Sequence, residues 1–234
     1  MSVPVLSTPL DAEKRLAAEA AVQLVADGMT VGLGTGSTAE HAVRALGRLA
    51  ADGLAIRAIA TSEATRRLAT ECGLALTDLN ETPHVDLTID GTDRFDDHLN
   101  LIKGGGGALL REKIVAAASD RFVIIADSSK RANPLGGFPV PVEVVRFGLQ
   151  PILNRFAEQG WNPSLRRAAG SGEPFVTDEG HLILDLALAT VDATASLAAE
   201  LDCVPGVVAH GLFLNLADVV LMGRGESVVE FRRS

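Results

Sequence analysis

The 234-residue chain has no tyrosine, a single tryptophan and an aromatic share of only 4%. Its core must therefore be packed mainly from Ala, Val, Leu and Ile, and a hydrophobic share of 47% with 22% charged residues is the profile of a globular protein with a sizeable core. Positive charge is scarce: 21 Lys and Arg face 30 Asp and Glu, a formal net charge of −9. That balance argues against a nucleic-acid binder held by bulk electrostatics, while leaving room for a small anion that needs only a few local donors. The two cysteines, Cys72 and Cys203, have no CxxC spacing and read as buried apolar fillers in a reducing cytosol. The five histidines (41, 84, 98, 181 and 210) show no HxxH or HExxH spacing, so no catalytic metal is expected. No run of about 18 apolar residues exists to cross a membrane. The start, MSVPVLSTPLDAEK, lacks the basic-then-apolar pattern of a signal peptide, so a cytoplasmic protein is expected.

What is present is alternation. Residues 11–28, 38–53, 63–73 and 107–119 carry helical periodicity, and several of these segments stop at glycine. Between them, 29–37, 54–62, 84–90 and 121–127 read as strands. That order implies right-handed βαβ units and a Rossmann-like, doubly wound, mostly parallel sheet. From about residue 138 the texture changes. FPVPVEVVRF (138–147), SLRRAAG (164–170) and HLILDLAL (181–188) look extended, and 148–160 and 192–206 look helical. We expect a second, smaller α+β (ferredoxin-like) domain over 137–207. The larger domain then takes 1–136 plus 208–234, with 207–231 expected as edge strands that rejoin it.

The chemistry-bearing turns, GTGST, TSEAT, DGTD and DSSK, all follow strands, where open α/β sheets bind ligands. The first is not a dinucleotide fingerprint, because Ser37 stands where a third glycine is needed, and no Walker lysine follows. A tight glycine turn with Ser37 and Thr38 at a helix start suits a phosphate, though either hydroxyl also suits a simple cap. TSEAT (61–65) reads equally as a second polar rim or as a helix cap.

Residues 90–113, DGTDRFDDHLNLIKGGGGALLREK, concentrate the rest. Asp90 ends a strand and Asp93 stands three residues on, so both carboxylates can face one crevice. The spacing does not fit a calcium loop, and Asp96, Asp97 and His98 read as a solvated turn. Lys103, at the rim of a loop, precedes Gly104 to Gly107. Four glycines cost conformational entropy that makes sense where backbone N–H groups approach a ligand. With 107–119 helical, Glu112 shares a face with Ala108, Leu109 and Ala116, while Arg111 and Lys113 turn about 100° away. Loss of hydration there raises a carboxyl pKa toward the range of a general base.

The strings GLGTGST, DGTD, KGGGGALLREK and SSKRANPLGGFPVPVEV, with PGVVAHGLF and ADVVLMG near the end, resemble type A ribose-5-phosphate isomerase over about residues 11–230. The resemblance implies interconversion of D-ribose 5-phosphate and D-ribulose 5-phosphate through an enediolate, without metal or cofactor. It implies Glu112 as general base and Lys103 as the cation at the developing oxyanion. Asp90 and Asp93 would hold sugar hydroxyls and assist ring opening. It further implies substrate contacts from Thr35, Gly36, Ser37 and Thr38, from Gly91 and Thr92, from Gly104, Gly105 and Gly106, and from Lys130, with Lys14 reaching the phosphate. A homodimer or homotetramer is expected, with no nucleic-acid or membrane partner. Two positions depart from the family: Arg94 stands where Glu is usual and His181 where Asn is usual.

Two other readings compete. Sugar-phosphate-sensing domains of transcription regulators share this kind of fold and bind without turnover. They carry a basic DNA-binding segment ahead of the sensor, and none is expected before a first strand at residue 29. A nicotinamide-dependent oxidoreductase is disfavoured by Ser37 and by the TS pair where an acidic residue would end the second strand.

Overall fold

Thr8 accepts a hydrogen bond from the Asp11 amide at 3.2 Å and Pro9 occupies the first turn, so the chain enters helix α1 (Pro9–Val22) at once. The structure is a computed structural model that describes residues 8–188, 190, 191 and 194–233. After α1 come β1 (Thr30–Leu33), α2 (Ser37–Ala51), β2 (Arg57–Ala60), α3 (Glu63–Glu71) and β3 (Leu87–Gly91). A short hairpin follows, β4 (Arg94–Phe95) and β5 (Leu101–Ile102), then α4 (Leu109–Ala117) and β6 (Phe122–Asp127). The second half runs β7 (Val140–Val144), α5 (Leu149–Glu158), β8 (Pro163–Leu165), β9 (Leu182–Leu186) and α6 (Thr194–Asp202). It closes with β10 (Val207–His210), β11 (Leu212–Phe213), β12 (Val219–Arg224) and β13 (Ser227–Arg232).

The main sheet has the order β2-β1-β3-β6-β12-β13, parallel throughout except for the β12–β13 pair. Its winding reverses at β1: the chain steps out to β2, then returns to the other side of β1 as β3. A doubly wound sheet opens a ligand crevice beyond the carboxyl ends of the strands at such a reversal. The strand β6, FVIIAD, is buried throughout because both faces of the sheet are covered. Val123 and Ile125 enter the core formed with α1 and α2, while Phe122, Ile124 and Ala126 enter the opposite one with Leu109 and Ala116 of α4. The smaller sheet, β10-β7-β9-β8, is antiparallel, and with α5 and α6 it has the β-α-β-β-α-β order of a ferredoxin-like unit.

The structure differs from the sequence reading in three places. The segment 207–210 does not rejoin the main sheet as an edge strand but pairs with β7 in the smaller one, and β12 lies inside the main sheet between β6 and β13. Of the expected solvated turn at 96–98, Asp97 and His98 are an exposed turn but Asp96 is not solvated, and the turn joins two short strands. β4 and β5 pair with each other, and β11 adds a third strand. Asp96 is buried in that hairpin and accepts from the amides of His98 at 2.9 Å and Asn100 at 2.8 Å, which closes a turn that holds Leu99 at φ 60°. Asp97 is exposed and pairs with Arg131 at 2.7 Å. The helix expected over 192–206 is observed as α6. Its expected residues 192 and 193 lie outside the described residues, as do residues 1–7 and 234 of the expected larger domain.

The crossing from β10 to β11 fixes the site from below. Gly211 donates to the Pro141 carbonyl at 2.7 Å and accepts from the Lys103 amide at 2.8 Å. A Cβ at this position would lie 2.2 Å from the Lys103 carbonyl oxygen, so only glycine allows the two backbones this close. Gly211→Ala is expected to destabilise the protein by about 2–4 kcal/mol in denaturant titration. A loss below about 0.5 kcal/mol would show that the crossing is not rigidly packed.

Candidate active site

The first loop is shaped by Gly34, just past β1. A Cβ there would lie 2.0 Å from Asp90 Oδ1, so glycine lets the ends of β1 and β3 meet. Asp90 Oδ1 accepts from the amides of Thr35 at 3.1 Å and Gly91 at 2.7 Å. The Thr35 hydroxyl lies 2.8 Å from those of Thr61 and Ser62 and 3.2 Å from that of Thr65. TSEAT therefore does two things. Ser62 caps α3 by accepting from the Thr65 amide at 3.0 Å, and the hydroxyl group of residues brace the first loop from behind. Next in the loop, Gly36 is the N-cap of α2 at φ 107°, with no side chain to satisfy the first amides of the helix. Those amides and the helix dipole make an anion-accepting end, and Lys14 of α1 donates to Ser37 Oγ at 3.0 Å beside it.

Lys103 is buried at 2% exposure rather than placed at a rim. Its Nζ lies 2.9 Å from Asp90 Oδ2 and 3.3 Å from Glu112 Oε2, and donates to the Gly91 carbonyl at 2.6 Å. The Phe213 ring, 5.5 Å from the ammonium, closes one side. Glu112 reaches this cluster from the first turn of α4, whose buried face is Leu109, Glu112, Val115 and Ala116. Burial raises the Glu112 pKa first and the Asp90 charge raises it further; against the pull of Lys103, it moves from 4.5 to about 8. Burial also raises Asp90, although Lys103 and the backbone amides oppose it. For Lys103 burial acts downward, but Asp90 and Glu112 outweigh it, and the ammonium is held above its ordinary pKa.

The glycine run is explained residue by residue. Gly104 and Gly107 have φ of 101° and 83°, where other residues are strained. Gly105 donates to Asp93 Oδ2 at 2.7 Å, and a Cβ on it would meet that carboxylate at 2.6 Å. Gly106 is different, since a Cβ there would meet only the Thr35 methyl at 3.6 Å. Its lack of a side chain opens space in the crevice, not within the protein.

These pieces surround a crevice of about 450 Å³ lined by residues 35–38, 91–93 and 103–106 together with Glu112 and Lys130. The candidate residues are brought together there with two exceptions: Asp90 is wholly buried beneath Lys103, and Lys14 stands behind the crevice wall on Ser37. Arg94 forms no ion pair with the Asp93 carboxylate. It donates to the carbonyls of Asp93 at 2.8 Å and Gly137 at 3.2 Å, and so braces the loop. His181 is a structural residue of the small domain, 3.0 Å from the buried carboxylate of Glu143. On the flank of α4, Lys113 donates to the carbonyls of His210 at 2.7 Å and Leu212 at 3.1 Å, and its burial lowers its pKa to about 8. Among the described residues, one group of three possible metal ligands lies close enough to share an ion: His84, Asp86 and Asp120. They precede β3 and β6, at the opposite end of the sheet from the crevice.

A doubly wound sheet with an anion-accepting helix end, a buried ammonium and a carboxylate of raised pKa at its switch point defines an α/β protein equipped for proton transfer on a small anionic ligand. The family model for ribose 5-phosphate isomerase A (phosphoriboisomerase A) matches residues 57–227. The chain is 51% identical to the ribose-5-phosphate isomerase A of Bradyrhizobium diazoefficiens, covering 94% of this chain and 95% of that one. It is 48% identical to that of Parvibaculum lavamentivorans, over 94% and 98%. Among solved structures, a D-ribose-5-phosphate isomerase in complex with phospho-erythronic acid superposes with a TM-score of 0.93 at 32% identity, over 96% of this chain and 99% of that one. The Plasmodium falciparum ribose 5-phosphate isomerase gives 0.91 at 35%, over 96% and 100%. The chain belongs to the ribose 5-phosphate isomerase A family.

The raised pKa of Glu112 has a consequence for stability. Below about 4.5 the carboxyl is protonated both folded and unfolded, and its burial carries no charge penalty. As pH rises toward and past about 8 the folded protein must bury the charge, so this part of the stability is lost. Glu112→Gln is therefore expected to raise the melting temperature little near pH 5 and by roughly 5 °C or more near pH 8.5. A difference that does not change with pH would mean that Glu112 ionises normally.

Proposed function

We propose that Glu112 is the general base of an aldose–ketose isomerase that interconverts D-ribose 5-phosphate and D-ribulose 5-phosphate. One observation carries this reading: the Glu112 carboxylate and the Lys103 ammonium, 3.3 Å apart, form the buried floor of the crevice. A proton next to a carbonyl is weakly acidic, and a base raised to about 8 narrows the gap that transfer must cross. Glu112 takes the C2 proton of the open-chain aldose, and charge moves to O1 as the C1–C2 bond becomes the enediolate. Lys103 stabilises that oxyanion from a preorganised, desolvated position. Asp93, in the crevice, holds hydroxyls and passes the proton from O2 to O1. Asp90 sits behind and fixes Lys103. Protonated Glu112 then returns the proton to C1, which leaves a ketone at C2.

The other end of the crevice takes the phosphate: the open amides of Gly36, Ser37 and Thr38, Ser37 held by Lys14, and Lys130. Gly91, Thr92 and Gly104 to Gly106 complete the sugar contacts. Phospho-erythronic acid, the ligand of one structural relative, supports this layout. It carries a planar carboxylate at one end and a phosphate at the other, as the enediolate of a pentose phosphate carries its charge. A non-catalytic sugar-phosphate sensor needs no buried base of raised pKa, and the geometry favours the enzyme. Lys103 supplies the electrophile, so the reaction proceeds without metal or cofactor. Cys203 is exposed and Cys72 only half-buried, so they are not the buried fillers expected; both are free, which fits a cytoplasmic setting, and no helix among the described residues is long and apolar enough to cross a membrane. The working form is a homodimer or homotetramer, and the acidic charge disfavours nucleic acid as a partner.

Purified protein with ribose 5-phosphate in EDTA is expected to turn over, and Glu112→Gln to lose about three orders of magnitude or more in kcat while still binding phosphosugar. No turnover by the wild type, with Glu112→Gln indistinguishable from it, would sink the assignment. The profile of kcat/KM is expected to climb with pH through an apparent pKa of about 8, belonging to the coupled carboxylates together. A flat profile between pH 6 and 9 would remove Glu112 as the base.

A further inference from the structure

We propose that Arg166, a residue of the small domain, is a positioning residue of the catalytic glycine loop, and that Asp185 holds it in place. The inference rests on the isomerase reading above and assigns to the small domain a part in the same site.

Arg166 follows β8 and lies 62 residues along the chain from the loop it touches, with its side chain 14% exposed. Its guanidinium is gripped by Asp185 of β9: Nε donates to Oδ2 at 2.9 Å, and Nη2 donates to Oδ1. That bidentate pair fixes the plane of the guanidinium. The remaining nitrogen, Nη1, donates to the carbonyls of Gly104 at 2.7 Å and Gly105 at 3.2 Å. Behind them the Phe175 ring packs on Gly107, where a Cβ would come within 2.4 Å.

The consequence follows from the planar trans peptide, in which C=O and N–H point opposite ways. Fixing the Gly104 carbonyl on Arg166 turns the Gly105 N–H to the other side, where it meets Asp93 Oδ2 at 2.7 Å. Fixing the Gly105 carbonyl in the same way turns the Gly106 N–H away from Arg166, toward the crevice that Gly106 lines. Among the described residues this N–H donates to no protein group, and the residue has no side chain to obstruct it. In the crevice that Lys103 also lines, it is a second donor for the charge that develops on the sugar oxygen. A run of glycines has no intrinsic preference for this arrangement, since each samples a wide range of backbone angles. Arg166 supplies the order that the glycines lack.

The test uses the full chain with Arg166→Met and, as the milder change, Asp185→Asn. Arg166→Met is expected to lower kcat about 10- to 100-fold with KM for ribose 5-phosphate changed less than about threefold. Affinity for phospho-erythronic acid should fall with kcat, while inhibition by inorganic phosphate stays at the wild-type level. Arg166→Lys keeps the charge without the fork and is expected to recover only part of the loss. Asp185→Asn should show the same pattern at smaller size. A kcat within about twofold of wild type in Arg166→Met would overturn the proposal, and so would equal losses in phosphate and phospho-erythronic acid binding. Amide hydrogen exchange over 104–107 reads the loop without turnover and is expected to quicken in both variants. Unchanged exchange overturns the positioning role, whereas a wild type that fails to isomerise ribose 5-phosphate overturns the isomerase reading instead.

Discussion

Two carboxylates and one ammonium share a space from which water is excluded. If all three were charged the group would carry one net negative charge, and burial makes that costly. The cluster resolves the conflict by holding a proton more tightly than a carboxyl in water does, and Glu112 is the one of the two carboxylates that lines the crevice. The surrounding architecture serves this balance. Gly34 lets the Thr35 amide reach Asp90, the Gly91 carbonyl takes a third contact from Lys103, and the ring of Phe213 keeps the ammonium dry. Asp90 gives Lys103 a fully buried partner, and with Glu112 it holds the ammonium above its ordinary pKa against the pull of burial.

The sheet explains why such distant residues meet. The reversal of winding between β1 and β3 leaves a gap that no crossover helix fills, and the loops after both strands fall into it. Helix α2 points its amino end at the same gap because it follows β1 directly. Helix α4 adds Glu112 from the other face of the sheet, and the hairpin of β4 and β5 places Lys103 between them. One gap thus collects an anion-accepting helix end, a buried ammonium and a buried carboxylate from separate stretches of chain.

Much of this was legible in the sequence. The alternation of helical and extended periodicity gives the parallel sheet, and Glu112 on an apolar helical face announces a desolvated carboxylate without any structure. The glycine run and the DGTD turn mark the crevice through their cost and their placement after strands. What could not be read has a common physical cause: it depends on contacts between segments far apart in the chain. Asp96 looks solvated until the hairpin turn closes around its oxygens. Lys103 looks like a rim residue until β11, more than a hundred positions later, packs against β5. Residues 207–210 are apolar enough for either sheet, and only pairing with β7 decides between them. Arg166 carries no motif, and its place at the loop comes entirely from how the small sheet docks.

The crossing at Gly211 has a mechanical meaning. The return path of the chain from the small domain runs through residues 210–212, where Lys113 grips two carbonyls and the Lys103 backbone grips a third group. Most two-domain enzymes place their hinge where few contacts cross. Here the return strand is riveted to the segments on either side of Glu112 and Lys103. A swing of the small domain would drag Glu112 and Lys103 with it, so motion between the two sheets is opposed at the wall of the crevice itself.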